Sequence, residues 1–590
     1  MGVRTKKTSA AADSLTRQEW PMAEKLHKAK LWSPNKRTTR ALGKAPSLGP
    51  VESRRVNVVS DELCERHRGC DLFDINPGAS LWSRALHDAV QPRRHIMMDP
   101  SARDYEALRK EVMGDRPNIE VIGESGIIWP ELNKVLSSHL DPHHERVGNA
   151  DKDKEPSQPQ RNDMLLVTAN LAMFPKKSLW NFDNVATMVL YQLMSSIPTS
   201  TLFQRYGSVR MLIWINDDIK RRVLPRSIVG RKRSAFEAEL ACEWIHEVAG
   251  SDVPDASTER LSLRDEWLHV ESAARVLQRM EKQGITTPAG RETRMLQTVM
   301  ADADLRSQPL SGHRPPKLLR PFRTELANME SGDDDTARNA RDVKRLKALQ
   351  YRDRHTSKEA ENYLELIQLH GRLLHMDAST AEFQLASAEF DGRLEGMRKN
   401  QRNEFLLFRD NHHIFRHHGP RPALLWDRRD YEPLAIDTTD LYPNAPTCLL
   451  DIQPKSMDPV LRQYGPSSSR SGDYASLILR SLFNSTTHPI HTRAMDSVWP
   501  GFSDMAREHC PSLWAPNFGG SPMNGYGSLP VRCISETHWV ELMRAWMRWP
   551  FRPSYHHMLG RSLEHDEDDD GSGGAGGGDV RGSASGSASS

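Results

Sequence analysis

The chain has 590 residues, 80 Lys and Arg against 78 Asp and Glu, 37% hydrophobic residues and a mean hydropathy of −0.63. That length suffices for two or three domains, and the absence of any run of eighteen apolar residues excludes a membrane span of the usual helical kind. The near-neutral balance hides an asymmetry: Glu564 to Ser590 hold seven acids and one base, leaving 79 bases against 71 acids on the body, which suits an anionic partner. Six cysteines without a Cys-x-x-Cys pair suggest reduced thiols in an intracellular compartment.

Residues 1–53 read as a disordered basic leader, with eleven Lys and Arg against three acids up to Pro50. Such a leader fits a mitochondrial presequence or a basic tail for nucleic acid or nuclear import. Residues 54–235 alternate strand and helix signals. Cys70–Ile75, His95–Asp99, Ile119–Ile122, Met164–Thr168 and Val209–Ile215 are apolar runs that read as strands, with helices expected over Leu81–Val90, Arg103–Met113 and Val185–Met194. Apolar strands separated by helices predict an α/β domain with a mostly parallel sheet. Residues 142–162, rich in charge, Pro and Gln, read as a surface insertion. Arg205–Arg233 carries nine bases against Asp217 and Asp218, and reads either as a phosphate-contacting strip or as a solvated helix face.

Residues 236–321 read as helical. Residues 322–419 contain no proline and place Leu366, Leu369, Leu373 and Met376, then Phe383, Phe390, Leu394 and Met397, at helical spacing, which predicts a helical hairpin with this stripe as its core. Its end carries His412, His413, His417 and His418, a spacing that could hold a metal; the flanking arginines favour a solvated helix end instead, and no metal is expected. Residues 420–560 read as a helical C-terminal domain, and 561–590 as a disordered acidic, Gly/Ser-rich tail.

The chemistry-bearing stretch is Asp74-Ile75-Asn76-Pro77-Gly78-Ala79-Ser80, an apolar strand ending in a sharp turn into a helix, where backbone N–H groups can face a ligand. The Gly-x-Gly-x-x-Gly fingerprint is absent. Asp99 follows about 20 residues later at the end of the second strand, where a carboxylate can accept both hydroxyls of an adenosine ribose. Glu124, past the third strand, is placed to face an adenine. Asn170, past the fourth, falls where substrate chemistry would occur.

These segments resemble the rRNA adenine dimethyltransferase family and, within it, the fungal mitochondrial transcription factor B branch. The family's Glu-Ile-Gly-Pro-Gly-x-Gly is matched by Asp74 to Ser80, its ribose-binding acid by Asp99, its Asn-Leu-Pro-Tyr by Asn170-Leu171-Ala172-Met173, and its later Phe-x-Pro-x-Pro by Tyr442-Pro443-Asn444-Ala445-Pro446. The resemblance implies a Rossmann-like S-adenosylmethionine-dependent methyltransferase sheet with a smaller C-terminal helical domain and a long helical insertion. It also implies a cofactor site at Asp74, Asn76, Gly78, Asp99, Glu124 and Asn170, with Asn170 catalytic in an active enzyme. The departures point away from catalysis. Met173 stacks less well on a flipped adenine than an aromatic ring, with Phe174 one position out of register, and Asn76 and Ser80 put a Cβ where backbone must approach the cofactor.

The leading expectation is therefore a monomeric mitochondrial matrix transcription factor that joins mitochondrial RNA polymerase. It would hold promoter DNA and melted strand on Arg205, Arg210, Lys220, Arg221 and Arg222, its S-adenosylmethionine site in decay. The alternatives are an active rRNA adenine dimethyltransferase, and a non-catalytic ribosome-assembly or scaffold protein that binds another protein through residues 322–419.

Overall fold

The computed structural model describes residues 61–147, 158–172, 184–252, 264–307, 309–331, 340–436, 446–463 and 471–561. The expected leader, the middle of the 142–162 insertion, Met173 and Phe174, Tyr442 to Ala445 and the tail beyond Arg561 lie outside these residues.

Five strands, β1 (Asp71–Ile75), β2 (Arg94–Met98), β3 (Ile119–Ile122), β4 (Arg161–Asn170) and β5 (Ser208–Asn216), pair in parallel. Three more complete the sheet: β6 (Cys242–Gly250), the two-residue β7 (Leu434–Ala435) and β8 (Thr447–Pro454). The order is β3-β2-β1-β4-β5-β8-β6-β7, with β8 antiparallel to both its neighbours. Helices α1 (Leu81–Val90), α2 (Glu106–Met113), α3 (Trp129–Val135), α4 (Val185–Thr199) and α5 (Arg233–Ala241) follow the first five strands in turn. The protein is thus a mixed α/β fold.

All five residues of β1 are buried, which explains why its sequence is a continuous apolar run around two acids. Leu72 joins Leu86 and Val90 of α1 in one core cluster, while Phe73 and Ile75 join Leu132, Leu190 and Phe203 in the other. The Phe73 and Phe203 rings meet edge-on at 5.0 Å. Burying one such ring contributes about 2–3 kcal/mol.

Two expectations need correction here. Residues 236–321 are not simply helical, because Cys242–Gly250 is a sheet strand preceding α6 (Glu266–Gln283), and the expected helical C-terminal domain supplies β8 to the same sheet. The expected hairpin over 322–419 is four helices: α7 (Phe322–Glu330), α8 (Ala340–His375), α9 (Ala381–Glu395) and α10 (Lys399–Arg416). The break between α8 and α9 is local chemistry. Asp377 accepts from the Ser379 N–H at 2.9 Å, and the Thr380 hydroxyl caps α9 by accepting from Phe383 N–H at 3.2 Å. The predicted stripe does form the core of this region, where Leu366, Leu369, Leu373, Phe383, Phe390 and Leu394 pack with Tyr363 and Phe405.

The C-terminal helices α11 (Ser471–Phe483), α12 (Phe502–His509) and α13 (Glu536–Arg548) enclose Trp539 and Trp546. All six cysteines are unpaired. Among the described residues no helix is long and apolar enough to cross a membrane.

Candidate functional site

The chain leaves β1 tied to β2, with the Asn76 N–H donating to the Met98 carbonyl at 2.8 Å. It then alternates into the left-handed region at Asn76 (φ 56°), Gly78 (φ 55°) and Ser80 (φ 66°), with Pro77 between the first two. For Asn and Ser this backbone costs roughly 1 kcal/mol or less to about 2 kcal/mol per residue, whereas Gly adopts it without steric penalty. The Ser80 N–H closes the turn on the Pro77 carbonyl at 2.9 Å, and α1 starts at the next residue. The three left-handed positions are those at which the family motif has glycine. The turn therefore follows a left-handed path at three positions, two of which carry a Cβ.

Asp99, just past β2, is 3% exposed. Its Oδ2 accepts from the Gly78 N–H at 3.2 Å and its Oδ1 from the Ser101 N–H at 2.8 Å. Burial pushes its pKa above the ordinary carboxylate value; the two N–H donors oppose that rise and Asp74 adds to it. The carboxylate thus braces the turn from inside and offers little surface to a ribose.

Asn170 ends β4, and its backbone carbonyl accepts from the Asn76 side-chain amide at 3.4 Å. This contact bridges β1 and β4, the point where the sheet reverses order and a doubly wound sheet opens its crevice. Beneath it, the Trp82 indole N–H donates to the Thr168 hydroxyl at 2.9 Å, and Trp82 meets Trp214 edge-on at 5.7 Å. Sequence reasoning missed this aromatic floor, although Trp82 lies only two residues past the turn. Trp214 is the register partner of Asn170, a relation that only the strand pairing reveals.

Asp74 and Glu124 are directed elsewhere. Asp74 is 1% exposed, with Oδ2 3.5 Å from His95 Nε2, and His95 Nδ1 lies 3.0 Å from His87 Nδ1 inside the sheet. Burial, reinforced by His95, lowers the His87 pKa to about 4, so that ring is neutral at physiological pH. Glu124, two residues past β3, pairs through Oε1 with Lys134 of α3 at 2.6 Å. The edge therefore brings together Asn76, Gly78, Asp99 and Asn170, while Asp74 lies beside His95 and Glu124 pairs with Lys134, each keeping one buried carboxylate oxygen without a hydrogen-bond partner among the described residues.

The expected phosphate strip is corrected more strongly. Arg210 is 5% exposed and grips Asp451 of β8 with two bonds, Nε to Oδ1 at 2.7 Å and Nη2 to Oδ2 at 2.5 Å. Burial works against the Asp451 carboxylate, but the Arg210 guanidinium outweighs it and leaves the Asp451 pKa below its ordinary value. Lys220 is equally buried between Asp217 and Glu247. Burial is the largest influence and disfavours its ammonium, but Glu247 and Asp217 among its neighbours together outweigh it and leave the pKa above its ordinary value. Arg205 bonds the Asn133 side chain and the Leu202 carbonyl. Arg221 and Arg222 are only partly exposed. Arg210 and Lys220 neutralise acids inside the sheet and cannot meet phosphate without breaking it.

The end of α10 is likewise not a solvated helix end. His412, His413 and His418 are buried, with His413 Nε2 2.9 Å from the Gly519 carbonyl. Among the described residues no three His, Cys, Asp or Glu side chains are arranged to hold a metal ion. No protein-family model and no curated protein matches the chain.

Proposed function

We propose that this chain is a mitochondrial transcription factor on a methyltransferase-type sheet, assisting mitochondrial RNA polymerase by binding promoter DNA and holding the strand that melting releases. The observation that carries the reading is the combination at the β1 turn. Asn76, Gly78 and Ser80 keep the glycine-type backbone of a nucleotide-binding turn, while Asp99 has closed inward onto Gly78.

The turn supports a nucleotide-site origin, as does the order 3-2-1-4-5 with the reversed β8 wedged between β5 and β6. The inward Asp99 supports loss of the cofactor. A ribose would have to reach a carboxylate that is 3% exposed and already accepts from two backbone N–H groups, which favours the loss of S-adenosylmethionine binding over its retention. What remains is a body carrying an excess of positive charge and a basic leader, which favour a polynucleotide partner and a mitochondrial address.

A second reading, an active rRNA adenine dimethyltransferase, is favoured by Asn170, which ends β4 at the crevice and is partly exposed. Titration calorimetry with S-adenosylmethionine, together with labelled-methyl incorporation into small-subunit rRNA, separates the two. The proposal expects neither heat nor incorporation. Saturable heat with methyl transfer would replace it with the second reading.

A further inference from the structure

With Arg210 and Lys220 buried in ion pairs, the expected strip is reduced to its partly exposed arginines, which leaves room for a second basic surface elsewhere in the molecule. From Leu542 to Arg561 the chain has four arginines, two histidines and no acid, interleaved with Trp546, Trp549, Phe551 and Tyr555. The aromatics form a path from core to solvent. Trp546 is fully buried, Trp549 lies 5.5 Å from it and is half-buried, and Phe551 lies 6.3 Å further on and is 77% exposed. A phenyl ring this exposed gains little from the fold, and its π-face is available to a flat partner.

Of the four arginines around it, one is committed in charge. Arg544 pairs with Asp458 at 2.5 Å. By contrast, Arg548 bonds only the Arg544 carbonyl, Arg552 bonds Met547 and lies over the Tyr474 ring, and Arg561 bonds the Ser497 carbonyl and lies over the Trp499 ring. Among the described residues none of these three meets a carboxylate. The negative end of α13 accounts for Arg548 in its last turn but not for Arg552, which lies beyond that helix, while Arg561 belongs to the helical stretch 555–561. Nearby, Arg462 packs its carbonyl against Gly472 in the first turn of α11, two residues from Tyr474, and its buried guanidinium has no hydrogen-bond partner among the described residues.

We propose that this edge, Arg548 to Arg561 beside the start of α11, is a docking surface for single-stranded nucleic acid, with Phe551 stacking on an unpaired base and Arg548, Arg552 and Arg561 meeting the flanking phosphates. Stacking needs a free base face, which a duplex hides, and charge without base-edge donors gives sequence-tolerant binding. The inference rests on the transcription reading and assigns that reading its contact surface.

The test is fluorescence anisotropy of the full chain with a labelled single-stranded 20-mer of mixed sequence, across a salt series. Phe551→Ala is expected to weaken binding roughly 5- to 100-fold, and Phe551→Trp to retain it. Arg548→Gln with Arg552→Gln is expected to lower the salt slope by about 1.4. The exposure of Phe551 keeps folding out of the comparison. Tight binding by the parent that neither variant changes overturns this surface and leaves the transcription reading standing. No binding by the parent overturns both.

Discussion

Arg210 separates two accounts of the basic segment. Its guanidinium and the Asp451 carboxylate, 5% and 2% exposed, are joined by two short hydrogen bonds across β5 and β8. Removing the cation by Arg210→Met leaves an uncompensated carboxylate in the middle of the sheet. Breaking a buried pair in this way costs about 3–5 kcal/mol. At about 1.4 kcal/mol per power of ten, the amides of β5 and of β8 up to Gln453 should lose roughly two to three and a half orders of magnitude of hydrogen-exchange protection. Adding Asp451→Leu removes the orphaned charge as well, and the double variant is expected to recover to within about 1–2 kcal/mol of the parent. Peptide-resolved exchange reads this locally, which suits a chain too large for one unfolding transition. If Arg210→Met left both strands protected while weakening nucleic-acid binding, the guanidinium would be facing ligand and the account of the sheet would be wrong.

Gly78→Ala places a Cβ at φ 55° and is expected to cost about 1–2 kcal/mol, lowering the thermal midpoint, whereas Ser80→Gly should relieve strain and raise it; equal midpoints would contradict the strained turn. His538, with a pKa lowered to about 3 chiefly by burial, accepts from the Ser535 N–H through Nδ1 in the α13 capping box; the buried His67 and the half-buried His417, lowered to about 4 and about 3, are also neutral at pH 7. A folded pKa below the unfolded 6.5 means their stabilisation is complete above about pH 6.5 and is lost as pH falls toward 3–4. The urea midpoint should therefore drop from pH 7 to pH 5, and His538→Gln should make it less pH-dependent; a flat profile in the parent would refute this. Ending the chain at Arg561 removes the seven acids and one base that follow the proposed surface in sequence and should tighten single-strand binding up to about tenfold at low salt, an effect that anisotropy would measure and that high salt should abolish.

The first five strands were legible because each is a short apolar run bounded by turn residues, so their order along the chain and their carboxyl ends could be read directly. That is why Asn76, Gly78, Asp99 and Asn170 could be assigned to one edge. β6 and β8 were not legible, since Glu247 and Asp451 interrupt their apolar patterns. The neutralising groups, Lys220 and Arg210, lie 27 and 241 residues away. The same separation made Arg210 and Lys220 look like a free basic strip, because sequence displays a charge without its partner. The inward turn of Asp99 was hidden for another reason. Whether a carboxylate at a strand end faces a crevice or braces the preceding turn depends on the path of the backbone, and similar sequences serve both.

The central claim, that this sheet serves strand opening without methyl transfer, is met most directly by a promoter-opening assay. A mitochondrial promoter carrying 2-aminopurine at the start site would be mixed with the cognate mitochondrial RNA polymerase, with and without the full chain, in the absence of S-adenosylmethionine. The account predicts a fluorescence rise that needs both proteins and is diminished by Phe551→Ala. Full opening by the polymerase alone, or an opening that appears only when S-adenosylmethionine is added, would contradict it.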